Sequence, residues 1–378
     1  MRYAAAAADV KCQEKHELCA LAPFWHVALL TKARELDSAW QALNSLEAHG
    51  GRPTSPRMAA TQHLIRGEVL FAMGQVDDGL ADVNTGLCIA ERCGDRSSRP
   101  AGYVVMALGA LRRADMRTCL HFVDKLTGEA LLGYFGQAAG AWMTAQVAEV
   151  RTGVDSVADL IAGMITNPLV LRQLLVSQPA AASWLVRAAG KLGADDLANV
   201  VVSAVCVASA EQPRFDVIRA SAAHAAGLLE RDASKLCEAA SHHPDGWCAA
   251  SAWEDLADLL ATRQREREHT VRALESALGT YTAVGATRDA SRVVNKLRDF
   301  GVRRGATRVV ERAGELPHGL TDTEFAVAEL VSQGYTNNEV GRQLFISRHT
   351  VAFHLKKVYQ KMSVGSRVEL AASWEAMR

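Results

Sequence analysis

Three times within residues 321–378 a Ser or Thr is followed three positions later by Glu: Thr321 and Glu324, Thr336 and Glu339, Ser366 and Glu369. Each pair is a capping box, in which the hydroxyl accepts from an amide at a helix start and the carboxylate reaches back to the cap. Leu320 with Phe325 and Tyr335 with Val340 form hydrophobic staples around the first two boxes. Ser347 caps a further helix, stapled by Ile346 and Val351, and Gly334 closes the first helix. Four short helices with defined starts are therefore expected. Only Leu344, Phe345 and Ile346 separate the second from the third. So short a connection makes a helix-turn-helix.

The third helix, SRHTVAFHLKKVYQKM, divides into two faces when read at about 100° per residue. Val351, Leu355, Val358 and Met362 share the face that should enter a core. His349, Phe353, Lys356 and Gln360 lie opposite, flanked by Ala352 and Lys357. The whole chain is neutral, with 42 basic and 42 acidic residues, so any nucleic-acid site must arise from local clustering. This segment carries Arg348, Lys356, Lys357 and Lys361 and no acid. A charged face is ordinarily just solvated. Here a short turn, charge of one sign, and exposed Phe353 and Ala352 coincide. Apolar side chains suit thymine methyls, and lysines suit guanine edges and phosphates. Double-stranded DNA is the expected partner.

The run LTDTEFAVAELVSQGYTNNEVGRQLFISRHTVAFHLKKVYQKMSVGSRVEL resembles the LuxR-type helix-turn-helix domain almost end to end, over residues 318–378. The S-x-x-T-V-x-x-H core and the terminal S-R-x-E-L carry most of that likeness. The resemblance implies that Thr336 to Leu344 is the scaffold helix and Ser347 to Met362 the recognition helix. It places base reading on Ala352, Phe353 and Lys356, beside the outward His349. Phosphate contacts would fall on Thr336, Asn337, Ser347, Arg348, Thr350, Lys357 and Lys361. In the last helix Leu370, Ala371, Trp374 and Met377 form a stripe that such domains use to pair with a twin, implying a homodimer on DNA. The chain departs from the family at Thr323, Gly341 and Ala352, where Arg, Ala and a basic or polar residue are usual.

Residues 1–302 show helical periodicity and no run of alternating strands. The junctions Ala72-Met73-Gly74 and Ala107-Leu108-Gly109 lie 35 residues apart, each between two apolar helical stretches. Further junctions fall at Gly153, Gly193, Glu230 and Gln264. Tetratricopeptide repeats run at about 34 residues, and their hairpins stack because none buries its apolar face alone. The spacing here drifts and the full consensus is absent, so the body reads as repeat-like, with an irregular helical domain as the plainer alternative. A basic linker, 303–317, joins it to the C-terminal domain. Helical body plus reader resembles the large ATP-binding LuxR regulators of MalT-like architecture. This chain lacks their phosphate loop and starts in helices, which reads as a shortened member with no nucleotide or other cofactor.

Two Cys/His groups are candidate metal sites: Cys12, His16 and Cys19, and Cys237, His242, His243 and Cys248. Structural zinc takes four ligands at tighter spacing, and buried thiols are common, so no metal is expected. No P-loop, G-x-G-x-x-G, G-x-S-x-G or H-E-x-x-H occurs, which argues against an enzyme. Eight cysteines without a C-x-x-C pair do not form a disulfide scaffold. No apolar run reaches the roughly 18 residues of a membrane span, and the N-terminus lacks a secretory h-region. The expectation is a soluble, cytoplasmic, all-α protein: a tetratricopeptide-like helical-repeat body, then a four-helix LuxR-type domain. It would act as a DNA-binding transcription regulator, an activator by resemblance and so a partner of RNA polymerase. The body would take a protein or small-molecule effector. The competing reading is a helical-repeat interaction scaffold with no DNA role, which would place acids or bulky aliphatics on the outward face of 347–362.

Overall fold

The computed structural model describes residues 17–49, 53, 55–128, 134–263, 266–302, 320, 322–344 and 348–376. Among these, all regular structure is helical. The body begins with α1 (Glu17–Lys32), α2 (Leu36–His49), α3 (Pro56–Ala72), α4 (Val76–Arg92), α5 (Arg99–Arg112), α6 (Met116–Gly128) and α7 (Tyr134–Thr152). After a short 3₁₀ turn come α8 (Ala158–Thr166), α9 (Pro168–Ser177), α10 (Ala181–Lys191), α11 (Asp195–Glu211) and α12 (Asp216–Glu230). It ends with α13 (Ala233–His242), α14 (Gly246–Ala261), α15 (Arg267–Ala283) and α16 (Thr287–Asp299). No single described helix is long and apolar enough to cross a membrane.

The α3–α4 hairpin shows how the sequence makes these pairs. Ser55 accepts from the Met58 amide and Pro56 occupies the first turn, where its missing N–H costs nothing. Gly74, at φ +86°, turns the chain, and the Gln75 amide returns to the Leu70 carbonyl at 2.9 Å. Gly67 and Gly79 then let the two backbones touch: a Cβ on Gly67 would lie 2.6 Å from the Gly79 oxygen. The turns at Gly153 and Gly193 fall where the sequence places them, both with positive φ. The one at Glu230 shifts by a residue to Arg231, at φ +54°, and Gln264 lies outside the described residues.

The junction expected at Gly109 does not exist. Gly109 sits inside α5, where a Cβ would meet Leu80 at 2.8 Å, and the turn follows at Arg113–Asp115. Its left-handed residue is Ala114, at φ +63°. A glycine needed for close helix packing looks the same in sequence as a turn glycine, and the real turn carries no glycine signal.

The body closes on itself. Arg34, in the first described turn, donates to Asp245 at 2.8 Å across more than two hundred residues of sequence. A Cβ on Gly74 would lie 3.5 Å from the Ala283 carbonyl oxygen, and one on Gly285 would lie 3.3 Å from Val76. Early and late helices of the body thus pack against each other. Much of this packing is polar. Glu254 on α14, buried, accepts from Tyr281 at 3.1 Å and from Arg292 at 2.7 and 2.6 Å, and pairs with Lys296 at 2.9 Å. Burial alone would raise its pKa, but the Arg292 and Lys296 cations outweigh that and hold it down at about 2. Beside it Asp255 joins Arg187 and His224.

The 237–248 group turns out to organise a turn. His243 is buried, its Nδ1 accepting from the Asp245 amide at 3.0 Å and its Nε2 facing Ser221 at 3.3 Å. Asp245 caps α14 through the Cys248 amide at 3.0 Å. Cys248 is buried, which pushes its thiol pKa well up, whereas Cys237 is exposed and His242 faces the Glu238 carbonyl. No group of three or more His, Cys, Asp or Glu suited to a metal occurs among the described residues. Cys12 and His16, and the Cys19 side chain, lie outside them.

His243 makes the fold acid-sensitive. Burial depresses its pKa from 6.5 to about 3. Below pH 6.5 the unfolded chain takes up a proton that the native state refuses, so stability falls with pH, by up to about 1.4 kcal/mol per pH unit. His224, also lowered by burial despite Asp255, adds in the same sense. Urea midpoints should therefore drop steadily between pH 7 and pH 5, and His243→Gln should flatten that slope; a midpoint constant over the interval would contradict the assignment.

Candidate nucleic-acid interface

The C-terminal unit consists of α17 (Asp322–Ser332), α18 (Asn337–Leu344), α19 (Arg348–Met362) and α20 (Arg367–Ala376). Leu320, Val327, Val331, Val340, Val351, Leu355, Val358 and Met362 form its core, joined by Leu370 and Trp374. The apolar face read for the third helix is the buried one.

The second capping box is fully formed. The Glu339 amide donates to Thr336 Oγ1 at 3.4 Å, and the Thr336 amide donates to Glu339 Oε2 at 2.7 Å. The Thr336 hydroxyl also donates to that carboxylate, at 2.8 Å. In the third box the Glu369 amide donates to Ser366 at 3.2 Å, but its carboxylate accepts from Gly365, one residue further upstream than expected. Thr321, Phe345, Ile346 and Ser347 lie outside the described residues.

On the outward face of α19, Arg348, Ala352, Phe353, Lys356, Lys357 and Gln360 are exposed. Phe353 is 57% exposed, with the Lys357 ammonium 4.7 Å from its ring centre, a cation–π contact that stiffens both side chains. Burial lowers the His354 pKa, so this helix gains no charge there near neutral pH. Thr336, Asn337, Asn338, Arg348 and Ala352 line one open depression of about 350 Å³ where α18 meets α19. Four of the sequence-expected contact residues are thereby brought together. His349 and Thr350 lie within α19, but their side chains are outside the described set.

Lys361 differs from the other cations. It donates to Glu324 at 2.6 Å, and that carboxylate is only 3% exposed. This lysine ties α19 to α17. Arg367 was not singled out in the sequence, yet it donates to Asn337 Oδ1 at 3.3 Å and to the Tyr335 carbonyl, fixing the start of α18. Its only sequence signal is its place after Ser366 in S-R-x-E-L.

The stripe of the last helix divides between core and surface. Leu370 and Trp374 are buried inside their own domain, Trp374 with its ring 5.0 Å from Phe325, and Ala371 is half-buried. Two apolar residues one turn apart complete a four-helix core before they can meet a twin. Val368 is the large apolar residue that α20 leaves exposed, at 79%, and Met377 lies outside the described residues.

Two short helices, the second basic and outward-facing, define the helix-turn-helix class. Residues 318–373 match the model of the bacterial regulatory proteins of the luxR family, and this C-terminal unit is a LuxR-type helix-turn-helix domain. A protein of Mycobacterium bovis named as an HTH-type transcriptional regulator is 47% identical over 51 residues, 14% of this chain and 6% of that protein. The transcriptional regulatory protein LiaR of Bacillus subtilis is 35% identical over 83 residues, 22% of this chain and 34% of LiaR. The CsgBAC operon transcriptional regulatory protein of Escherichia coli is 34% identical over 100 residues, 23% of this chain and 45% of that protein. The chain thus spans well under two thirds of each relative. No solved structure matches the chain.

Proposed function

We propose that this chain is a sequence-specific DNA-binding transcription regulator, an activator that reads the major groove with α19 and has no catalytic step of its own. The observation that carries the reading is the acid-free outward face of α19, with Ala352, Phe353, Lys356 and Lys357 exposed beside the depression at the start of α18. Lys356 and Phe353 would read base edges, with Ala352 and His349 beside them. Arg348, Lys357, Asn337 and Thr350 would hold phosphates, with the caps at Thr336 and Ser347 presenting backbone amides. Two copies would occupy paired half-sites, without Leu370 and Trp374 at the seam. The names of the relatives, each a transcriptional regulator, support the regulatory role; RNA polymerase is the partner that activation requires.

The helical body, separated by the segment 303–317, would regulate the reader by taking an effector. The body helix α7 supports this, since its Arg151 guanidinium lies 6.0 Å from the ring of Tyr335, the staple residue of α18. That contact leaves the outward face of α19 uncovered.

Fluorescence anisotropy of the full chain against DNA from upstream of its own and neighbouring genes tests the reading. Arg348 and Lys357 in each of two copies supply four phosphate cations, so affinity should fall about 100-fold between 50 and 200 mM salt. Preference for one sequence with that slope supports the proposal. Absence of any preference would return the chain to the interaction-scaffold reading.

A further inference from the structure

We propose that the helical body holds a binding site for a small organic monocarboxylate, in the cavity where its first hairpins meet α14. The cavity measures about 50 Å³, several times the 10–15 Å³ that one water requires, and so has room for a group of a few heavy atoms. Apolar side chains from early and late parts of the body form part of its wall, among them Phe71, Val104, Leu108, Trp247 and Val284.

Its charges do not balance. Lys32, Arg34 and Arg112 line it together with Glu68 and Asp245. Lys32 pairs with Glu68, and Arg34 pairs with Asp245 at 2.8 Å. Arg112 is left over. Its guanidinium carbon lies 5.3 Å from the Phe71 ring centre and 4.9 Å from that of Trp247, and no described carboxylate lies within ion-pairing distance. Rings stabilise the cation but accept none of its in-plane N–H bonds. Burial lowers the Arg112 pKa despite the more distant pull of Asp245, the direction expected of a guanidinium short of a counter-ion.

A second unpaired donor belongs to a residue of the cavity wall. Trp142 lines the cavity, is 1% exposed, and its indole N–H has no acceptor. A buried donor without a partner is costly, and native structures rarely tolerate one. Ser177 and Gln178 add buried polar groups to the same wall. One guanidinium, one indole N–H, one surplus positive charge and an apolar surround suit a single carboxylate on a short hydrocarbon stem. A phosphate would bring more charge than Arg112 can balance. Bound there, the ligand would lie between α5 and the start of α14, and so tie the early helices to the late ones.

Calorimetric titration of the full chain with sodium propionate tests this, at ionic strength held constant with chloride and with propionamide as the uncharged isostere. Propionate should bind saturably and raise the melting temperature, with propionamide at least about tenfold weaker. Arg112→Gln should weaken propionate by about tenfold or more, and Trp142→Phe, which removes one donor and little volume, by roughly threefold. Should Arg112→Gln fail to fold, Trp142→Phe decides. Equal binding of propionamide, no binding of propionate, or unchanged binding by Trp142→Phe would each overturn the site. DNA affinity is not a readout, so the regulator reading stands or falls separately.

Discussion

Replacing Glu254 with alanine should destabilise the helical body by about 3 kcal/mol, the largest single effect expected here. One buried carboxylate takes bonds from Tyr281, Arg292 and Lys296. Its removal strands a fully buried tyrosine hydroxyl and strips two cations of their main partner. The loss falls in the lower part of the usual 3–5 kcal/mol because Arg292 keeps Asp289 at 2.6 Å and Lys296 keeps Asp258 at 2.6 Å. Glu254→Gln should cost less, since it retains acceptor and shape. The double change Glu254→Met, Arg292→Met should recover part of the loss, because an unpaired buried charge costs more than an absent pair. Urea denaturation followed by circular dichroism measures all three. A double variant as unstable as the sum of Glu254→Met and Arg292→Met, each measured alone, would show that the pair is not coupled.

The second large effect concerns DNA. Lys356→Ala should weaken specific binding by about 1–3 kcal/mol, or roughly 5- to 150-fold, and relax preference at one base position. Lys357→Ala should weaken binding to all sequences alike and reduce the magnitude of the salt slope by about one per copy. Lys361→Ala should act chiefly on the stability of the C-terminal domain, because Lys361 already neutralises the buried Glu324 carboxylate. Anisotropy titrations of the three variants at two salt concentrations separate these roles. If Lys361→Ala lost specificity while Lys356→Ala bound normally, the register of α19 in the groove would be wrong by about a turn.

The C-terminal domain was largely legible because its signals are local. A capping box, a staple or a three-residue turn involves groups within five positions of each other, so the residues name their own geometry. The outward and inward faces of α19 followed from helical period alone, and Val351, Leu355, Val358 and Met362 are buried as that period requires. Lys361 and Arg367 were opaque for the opposite reason. Their partners, Glu324 and Asn337, lie 37 and 30 residues away in sequence. A lysine in a basic helix reads the same whether it awaits a phosphate or already holds a carboxylate.

In the body the sequence by itself determined that the chain is helical, and roughly where its helices break. Gly74, Gly153 and Gly193 mark turns because a positive φ costs glycine little. Gly109 looked the same and is a packing residue, since a missing Cβ serves a tight turn and a tight helix contact equally well. Only the tertiary structure decided how far the body winds. Closure depends on Arg34 meeting Asp245 and on Gly74 meeting Ala283, contacts whose stabilisation exists only once every intervening helix has packed. That same closure gathers half-buried Arg112 and buried Trp142 around one small cavity. No local pattern could place Arg112 of α5 beside Trp247 of α14, because what brings them together is the packing of all the helices between.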